Sequence, residues 1–468
     1  MLSFISFSSA ATFTVHAQQV KVHITVEGEN TSRAVIVGEY SEPISRLSFL
    51  NSYGTALGLG DRITQVEVWK ENEQPIAAQK VAPGEFRAST SGTHFRYGVT
   101  LGSPEVEGDM AHVSWLAAGM GYLMLADLLP ELGTNTSLSV DFTLPPGWNV
   151  SSSTQPSGGH YVIDEPARAV FFVGQSLRTK TKMIGATQIT FVTARKWSFT
   201  DDQAVEVMAR IINYYERSIT PVPRKQTALF LAPYRTVDSN ARWNAETRGG
   251  TTAIVFNEGD HRIALAQLGI ALTHELFHLW VPNGLAFTGD YDWFFEGFTL
   301  YQALRTAVEL RFIDFPEYLR TMSRVYQSYL AQFDRDQLSL IDASRRRFTG
   351  GSAAVNDKAM LLAFMYDLTV RTQSEGALSI DDVYRSLFKQ HDGKPQDANQ
   401  VIIKTLSAYG ANQLIESYAV GNAAIHLDAF VNQYGLRIQS PGSDTQLVIN
   451  RNLNSAQRRL LRSLGFKG

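Results

Sequence analysis

The chain has 468 residues, 44% of them hydrophobic and 19% charged, and its 42 basic and 45 acidic side chains leave a formal net charge of -3. That composition supplies apolar material for two or three folded domains, shows no basic surplus that would argue for nucleic acid, and contains no acidic run typical of a disordered tail. Cysteine is absent, which excludes disulfides, thiolate catalysis, cysteine-held metal and lipid anchors on cysteine, so a metal site has to be built from His, Asp and Glu.

The first residues, MLSFISFSSAATFTVHAQQ, are apolar or small and uncharged, and Val15-His16-Ala17 has the small-x-small form of a cleavage site. Residues 1–17 therefore read as a signal peptide lacking the usual basic start, and the chain is expected to be exported, periplasmic or secreted. No later stretch reaches the ~18 uninterrupted apolar residues of a membrane-spanning helix.

From residue 18 to 196 the pattern has period two. Val20, Val22, Ile24 and Val26 alternate with Lys21, His23, Thr25 and Glu27, and Leu138, Val140, Phe142 and Leu144 repeat the alternation. Strands with one buried face read this way, and Pro145-Pro146-Gly147 and the Ser/Gly-rich stretch 151–159 punctuate them. An antiparallel β domain is expected over 18–196. The period then changes. Thr200-Asp201-Asp202-Gln203 is a capping box opening a helix that runs to about Arg217. Short buried strands follow at Thr227 to Leu231 and Thr251 to Phe256. Helical patterns cover 262–280, 295–311, 315–332, 357–372, 380–389 and 399–409. Residues 197–438 read as an α+β domain with a helical second half, and 439–468 as a tail. The tail's helix candidate, with Arg458, Arg459 and Arg462, reads as a solvated face, the alternative being a basic amphipathic helix on a membrane surface.

Two segments carry chemistry. His274-Glu275-Leu276-Phe277-His278 has the form H-E-x-x-H. On a helix, residues four apart share a face, so both imidazoles can meet one ion, while Glu275 sits beside them as general base toward a water the metal acidifies. The flanks Ile270-Ala271-Leu272 and Leu279-Trp280 predict burial, where unpartnered polar groups are costly. The alternative is a pair of core histidines satisfied by carbonyls. Glu296, 18 positions after His278 (296 − 278), is the lone acid in Trp293-Phe294-Phe295-Glu296-Gly297-Phe298. As a third ligand it would complete a two-His, one-Glu zinc site with an open fourth position, the catalytic arrangement; otherwise it is an acid favoured at a helix start. Asp290 and Asp292 are candidates for orienting a histidine.

Together these residues resemble the glycyl aminopeptidase family of gluzincin zinc metallopeptidases. THELFHLW is similar to that family's zinc helix and WFFEGFTLYQALRTAVEL to its third-ligand helix, and Leu144-Pro145-Pro146-Gly147-Trp148, Asp367 to Arg371 and Ser417 to Gly421 are similar at lower specificity. The resemblance spans about residues 20–438. It implies an N-terminal β domain, a thermolysin-like catalytic domain with a helical half, one Zn2+ ion, a peptide or protein substrate, and aminopeptidase activity. The PDZ domain common in the family is not expected, since about thirty residues remain after 438.

Two departures stand out. Where the family places an oxyanion-stabilising Tyr in Tyr-x-Lys-Gly, this chain has Asn356-Asp357-Lys358-Ala359. Asn356 either donates to an oxyanion, marks lost activity, or is a polar helix-start residue. Where the family has Gly-Gly-x-Glu-His, this chain has Trp243-Asn244-Ala245-Glu246-Thr247, so Glu246 is the candidate for binding a substrate amine. Two other readings stay open: a degenerate peptidase acting as a binding module, and a gluzincin endopeptidase. No nucleophile elbow, Walker loop or dinucleotide fingerprint competes.

Overall fold

The alternation at the N-terminus becomes a strand, Gln18–Glu27, with Val20, Val22, Ile24 and Val26 buried and the residues between them partly or fully exposed. The computed structural model describes residues 18–28, 32–133, 136–236, 242–440 and 444–467, so the expected leader over 1–17 lies outside the described residues. The first layer is an eight-stranded sheet. Its main path runs from Tyr161–Ile163 through Thr136–Thr143, Gln18–Glu27, Arg33–Ser48, Glu85–Thr100 and Ile63–Trp69 to Ile76–Ala77, and Gln79–Ala82 also pairs with Glu85–Thr100.

One pairing corrects the expectation of an antiparallel domain. Gln18–Glu27 and Thr136–Thr143 run parallel, with Val20 opposite Leu138 and Ile24 opposite Phe142. Alternation along a strand fixes which face is buried but not the direction of the neighbour, and the hundred-odd residues between these strands give ample chain for a parallel connection.

A four-stranded sheet lies behind the first: Trp148–Ser152, Val170–Gln175, Met120–Met124 and Trp115–Ala117. Its residues alternate between two cores. Leu116, Leu123, Phe171 and Val173 pack toward the first sheet. Trp115, Tyr122, Met124 and Phe172 pack toward a third sheet, against Ala228, Phe230, Ala253 and Val255. This third sheet is ordered Arg178–Ile184, Thr187–Thr193, Gln226–Pro233, Thr251–Asn257 and Arg242–Arg248. Its inner strands pair in parallel. Every residue of Thr251–Asn257 is buried, as expected of a strand covered on both faces. The opposite face, with Phe191, Leu229, Leu231, Ile254 and Phe256, packs on the helices in the largest core.

Sheet membership moves the division between the two halves. Arg178–Ile184 and Thr187–Thr193 belong to the third sheet, so the break falls between Gln175 and Arg178 rather than after residue 196; period-two patterning is the same in both sheets and carries no sign of the change. The helix Asp201–Ser218 follows, with its capping box formed in both directions between Thr200 and Gln203. Tyr122 joins the layers: its hydroxyl lies 2.9 Å from the carbonyl oxygen of Phe230 and 2.8 Å from that of Ile254.

The expected tail is also revised. Gln446–Ile449 pairs with Leu436–Gln439, and the helix Ser455–Ser463 buries Leu460 and Leu461 in the helical core while Arg458, Arg459 and Arg462 face solvent. Leu460 and Leu461, set between Arg459 and Arg462, form the inner stripe of an amphipathic helix. No helix among the described residues is long and apolar enough to cross a membrane.

Candidate metal centre

The H-E-x-x-H motif lies where the helix Ala264–Glu275 tightens into the 3-10 turn Leu276–Leu279. Leu268, Leu272, Leu276, Phe277 and Leu279 are fully buried around it. The Nε2 atoms of His274 and His278 are 3.0 Å apart, and Oε2 of Glu296 lies 3.6 Å from the first and 3.8 Å from the second. Three ligands at ~2.0–2.2 Å from one tetrahedral ion sit about 3.3 Å from each other, so these separations fit a single ion with small adjustments. His278 donates from Nδ1 to the carbonyl oxygen of Val281 at 2.8 Å, which fixes the tautomer whose Nε2 lone pair faces the other two groups. Nδ1 of His274 is buried without a hydrogen-bond partner among the described residues.

Glu296 arrives on a π-helical segment, Trp293–Phe298, that runs into the helix Thr299–Glu309. Trp293, Phe294 and Phe298 are fully buried and hold this segment in the core. Gly297 permits a second π-helical segment, Ala354–Lys358, to pack directly on it: a Cβ there would lie 2.3 Å from Cβ of Ala359. The other oxygen of Glu296, Oε1, accepts from Nη2 of Arg347 at 2.9 Å, and Nη1 of Arg347 bonds to Asp292 at 2.8 Å. Burial pushes the Glu296 carboxyl up, but His274, His278 and Arg347 outweigh it and hold it down at about 2, so it stays an anion ready to ligate. Asp292 thus holds Arg347 rather than a histidine, and Asp290 is exposed.

Glu275 is buried beside this triad. Its Oε2 lies 2.9 Å from the hydroxyl of Thr247, which in turn lies 2.9 Å from the hydroxyl of Thr252. Thr247 donates its one hydroxyl hydrogen toward Glu275, whose carboxylate Oε2 and main-chain carbonyl oxygen both lie 2.9 Å away. Thr247 belongs to Arg242–Arg248, the outermost strand of the third sheet. The preceding residue, Glu246, points to the other face of that strand. There it bonds to Arg248 Nε at 2.8 Å and Nη2 at 3.1 Å, to Nδ1 of His112 at 2.8 Å and to the hydroxyl of Tyr53. The Arg248 guanidinium also stacks on the Tyr53 ring, 4.3 Å from its centroid, and donates to the carbonyl oxygen of His112 at 2.7 Å. Burial raises the Glu246 carboxyl, yet Arg248 and His112 bring it down to about 2.

The structure therefore brings His274, His278, Glu296 and Glu275 together. Asn356 is half-buried on the segment packed against Gly297. Glu246 is adjacent in sequence to Thr247, with its carboxylate engaged across the domain boundary. Arg347, Thr247, His112 and Tyr53 are the residues that sequence reasoning missed. Arg347 is far from the motifs in the chain, and His112 and Tyr53 belong to the other half, so no local pattern announced them.

Neither a family model nor a curated protein matches the sequence. Solved structures do match. An aminopeptidase N family protein from Idiomarina loihiensis superposes with a TM-score of 0.75 at 16% identity, over 90% of this chain and 79% of that one. The fold is that of M1-type zinc metallopeptidases. An M1 zinc metallopeptidase from Deinococcus radiodurans gives a TM-score of 0.55 at 17% identity, over 88% of this chain and 95% of that one, and a mutant of the Deinococcus enzyme bound to a Tyr-Ser-Ala substrate gives 0.56 at 16%, with the same coverage. At these identities the likeness shows the M1-type fold, a β domain followed by a domain with a helical half.

Proposed function

We propose that this chain is a zinc-dependent peptidase that hydrolyses peptide bonds with His274, His278 and Glu296 as the ligands of one zinc ion and Glu275 as general base. The observation that carries this reading is the convergence of two imidazole nitrogens and one carboxylate oxygen, all within 4.8 Å of one another, from two different segments. The donor chemistry suits zinc, and a bound zinc ion would supply Lewis acidity toward a water molecule and a substrate carbonyl. Arg347 holds Oε1 of Glu296 so that Oε2 remains directed at the histidines. Thr247 holds Oε2 of Glu275 so that Oε1 takes the proton from the attacking water and returns it to the leaving amine. Asn356, on the segment packed against Gly297, is the candidate for an amide donor to the developing oxyanion.

The M1-type fold and the resemblance to glycyl aminopeptidases favour a peptide substrate, and they favour aminopeptidase action in so far as Glu246 can bind a substrate amine. The uncharged, small-residue start of the chain and the absence of cysteine are compatible with export, which a signal-processing assay on the secreted protein would check. Activity is tested with a panel of fluorogenic peptides on zinc-loaded protein and on Glu275→Gln. Hydrolysis by the native protein that falls by at least ~10³-fold in the variant is the expected result. Full activity in Glu275→Gln would sink the assigned mechanism, and zinc binding without turnover would favour a binding module.

A further inference from the structure

A lone aromatic ring on a protein surface is ordinary. An exposed ring joined to a metal centre by a continuous row of side chains is a different case, because what enters the centre also meets the ring. Phe348 sits on the 3-10 turn Arg347–Thr349 and is 69% exposed. Its ring centre lies 5.4 Å from Cζ of Arg347, and the ring centre of Phe295 lies 5.7 Å from the same carbon. Both distances are in the ~6 Å range over which a cation is attracted to a ring, so the guanidinium holds the two rings together. Phe295 is partly exposed and meets the His278 ring edge to face, 6.3 Å between centres. Arg347 donates to Oε1 of Glu296 at 2.9 Å. His278, Phe295, Arg347 and Phe348 thus form a row that starts at the metal ligands and ends in solvent.

Resting on the peptidase reading above, we propose that Phe295 and Phe348 form a substrate subsite for an aromatic side chain adjoining the scissile bond, with Phe348 as the residue that sets the specificity. The distances allow it. With every link at full stretch, the Phe348 ring centre is at most about 14 Å from the point where the three ligand atoms converge, and that of Phe295 at most about 10 Å. An aromatic side chain beside a peptide carbonyl lying at that point carries its own ring centre up to about 8 Å away, and rings pair at ~4.5–7 Å between centres. The charges along the row select for an apolar occupant. Asp292 and Glu296 already bind the Arg347 guanidinium, so an acidic side chain would have to take it from them and set its own charge beside theirs. A basic side chain would meet the guanidinium as a like charge.

The test uses zinc-loaded full-length protein and sets of quenched fluorogenic peptides in which Phe, Ala, Glu or Lys is placed in turn at each position flanking the scissile bond, with cleavage positions read by mass spectrometry. At one flanking position, kcat/KM for Phe is expected to exceed that for Ala by about tenfold or more, and Glu and Lys to rank below Ala. Phe348→Ala is expected to reduce the Phe-to-Ala ratio to roughly threefold or less, and Phe348→Tyr, which keeps the ring, to preserve it. The exposure of Phe348 makes both variants compatible with folding. A native protein that prefers Glu or Lys at every flanking position, one with no preference for Phe at any, or a preference that survives in Phe348→Ala overturns the proposal. If no peptide is cleaved, the peptidase reading fails, and the same peptides are titrated by calorimetry onto zinc-loaded native protein and Phe348→Ala. Tighter binding of a Phe peptide than of its Ala counterpart, lost in Phe348→Ala, then supports the subsite, and equal affinities overturn it.

Discussion

A methyl group added at Gly297 would lie 2.3 Å from Cβ of Ala359 and 2.7 Å from the carbonyl oxygen of Val355. Carbon atoms pack at ~3.5–4.0 Å, so Gly297→Ala requires the segments Trp293–Phe298 and Ala354–Lys358 to separate by about 1.2 Å or more. One contact is with an alanine Cβ and the other with a main-chain oxygen, both in the core, so no flexible side-chain end can absorb the change. Overpacking of this kind costs ~1–3 kcal/mol of stability. The effect on the metal is larger in proportion. Glu296 is the preceding residue, and metal–ligand distances tolerate only about 0.2 Å, so a displacement of the order of 1 Å should weaken zinc binding by ~10–100-fold. Competition with a chromogenic chelator measures the affinity, and urea unfolding with and without zinc measures the stability. The variant should lose stability in both conditions and show a smaller increment on adding zinc, because a weaker ligand stabilises the native state less. Native-like zinc affinity in a folded Gly297→Ala protein would refute the claim that this contact positions the third ligand.

Two further outcomes follow from the buried polar groups. Glu246 is held at about 2 against an ordinary 4.5, so its stabilisation is complete above the unfolded value and is lost as pH falls from there through the folded one; at ~1.4 kcal/mol per unit this amounts to about 3 kcal/mol. Urea midpoints for native protein and Glu246→Gln should therefore converge as pH is lowered from about 7 to about 3, and a constant gap would count against the ion cluster. Tyr122→Phe removes the hydroxyl shared by the carbonyls of Phe230 and Ile254 and should cost ~1–3 kcal/mol in denaturant unfolding, since it leaves buried acceptors without that donor; an unchanged midpoint would mean the contact contributes nothing to the joint between layers.

The clustering of His274, His278 and Glu296 was legible because these residues come from two short, strongly patterned segments. H-E-x-x-H needs only helical periodicity to bring His274 and His278 together, and an acid among Trp293, Phe294, Phe295 and Phe298 has few uses apart from ligation. The helix boundaries were legible for a similar local reason, as with the capping box at Thr200. What the sequence left open depends on long-range pairing. Alternation in Gln18–Glu27 cannot announce a parallel neighbour more than a hundred residues away, nor can Thr187–Thr193 announce which sheet it joins. The fate of Glu246 is of the same kind: its partners Tyr53 and His112 come from the other domain, and Arg248, two residues on, meets it only because the strand places alternate side chains on one face.

The central claim is that His274, His278 and Glu296 share one zinc ion. Crystals of the protein grown with zinc and measured on both sides of the zinc absorption edge test it most directly. A single strong anomalous peak within ~2.0–2.2 Å of His274 Nε2, His278 Nε2 and Glu296 Oε2 is the predicted result. A peak elsewhere, or zinc bound by the histidines with neither oxygen of Glu296 within bonding distance of it, would contradict it.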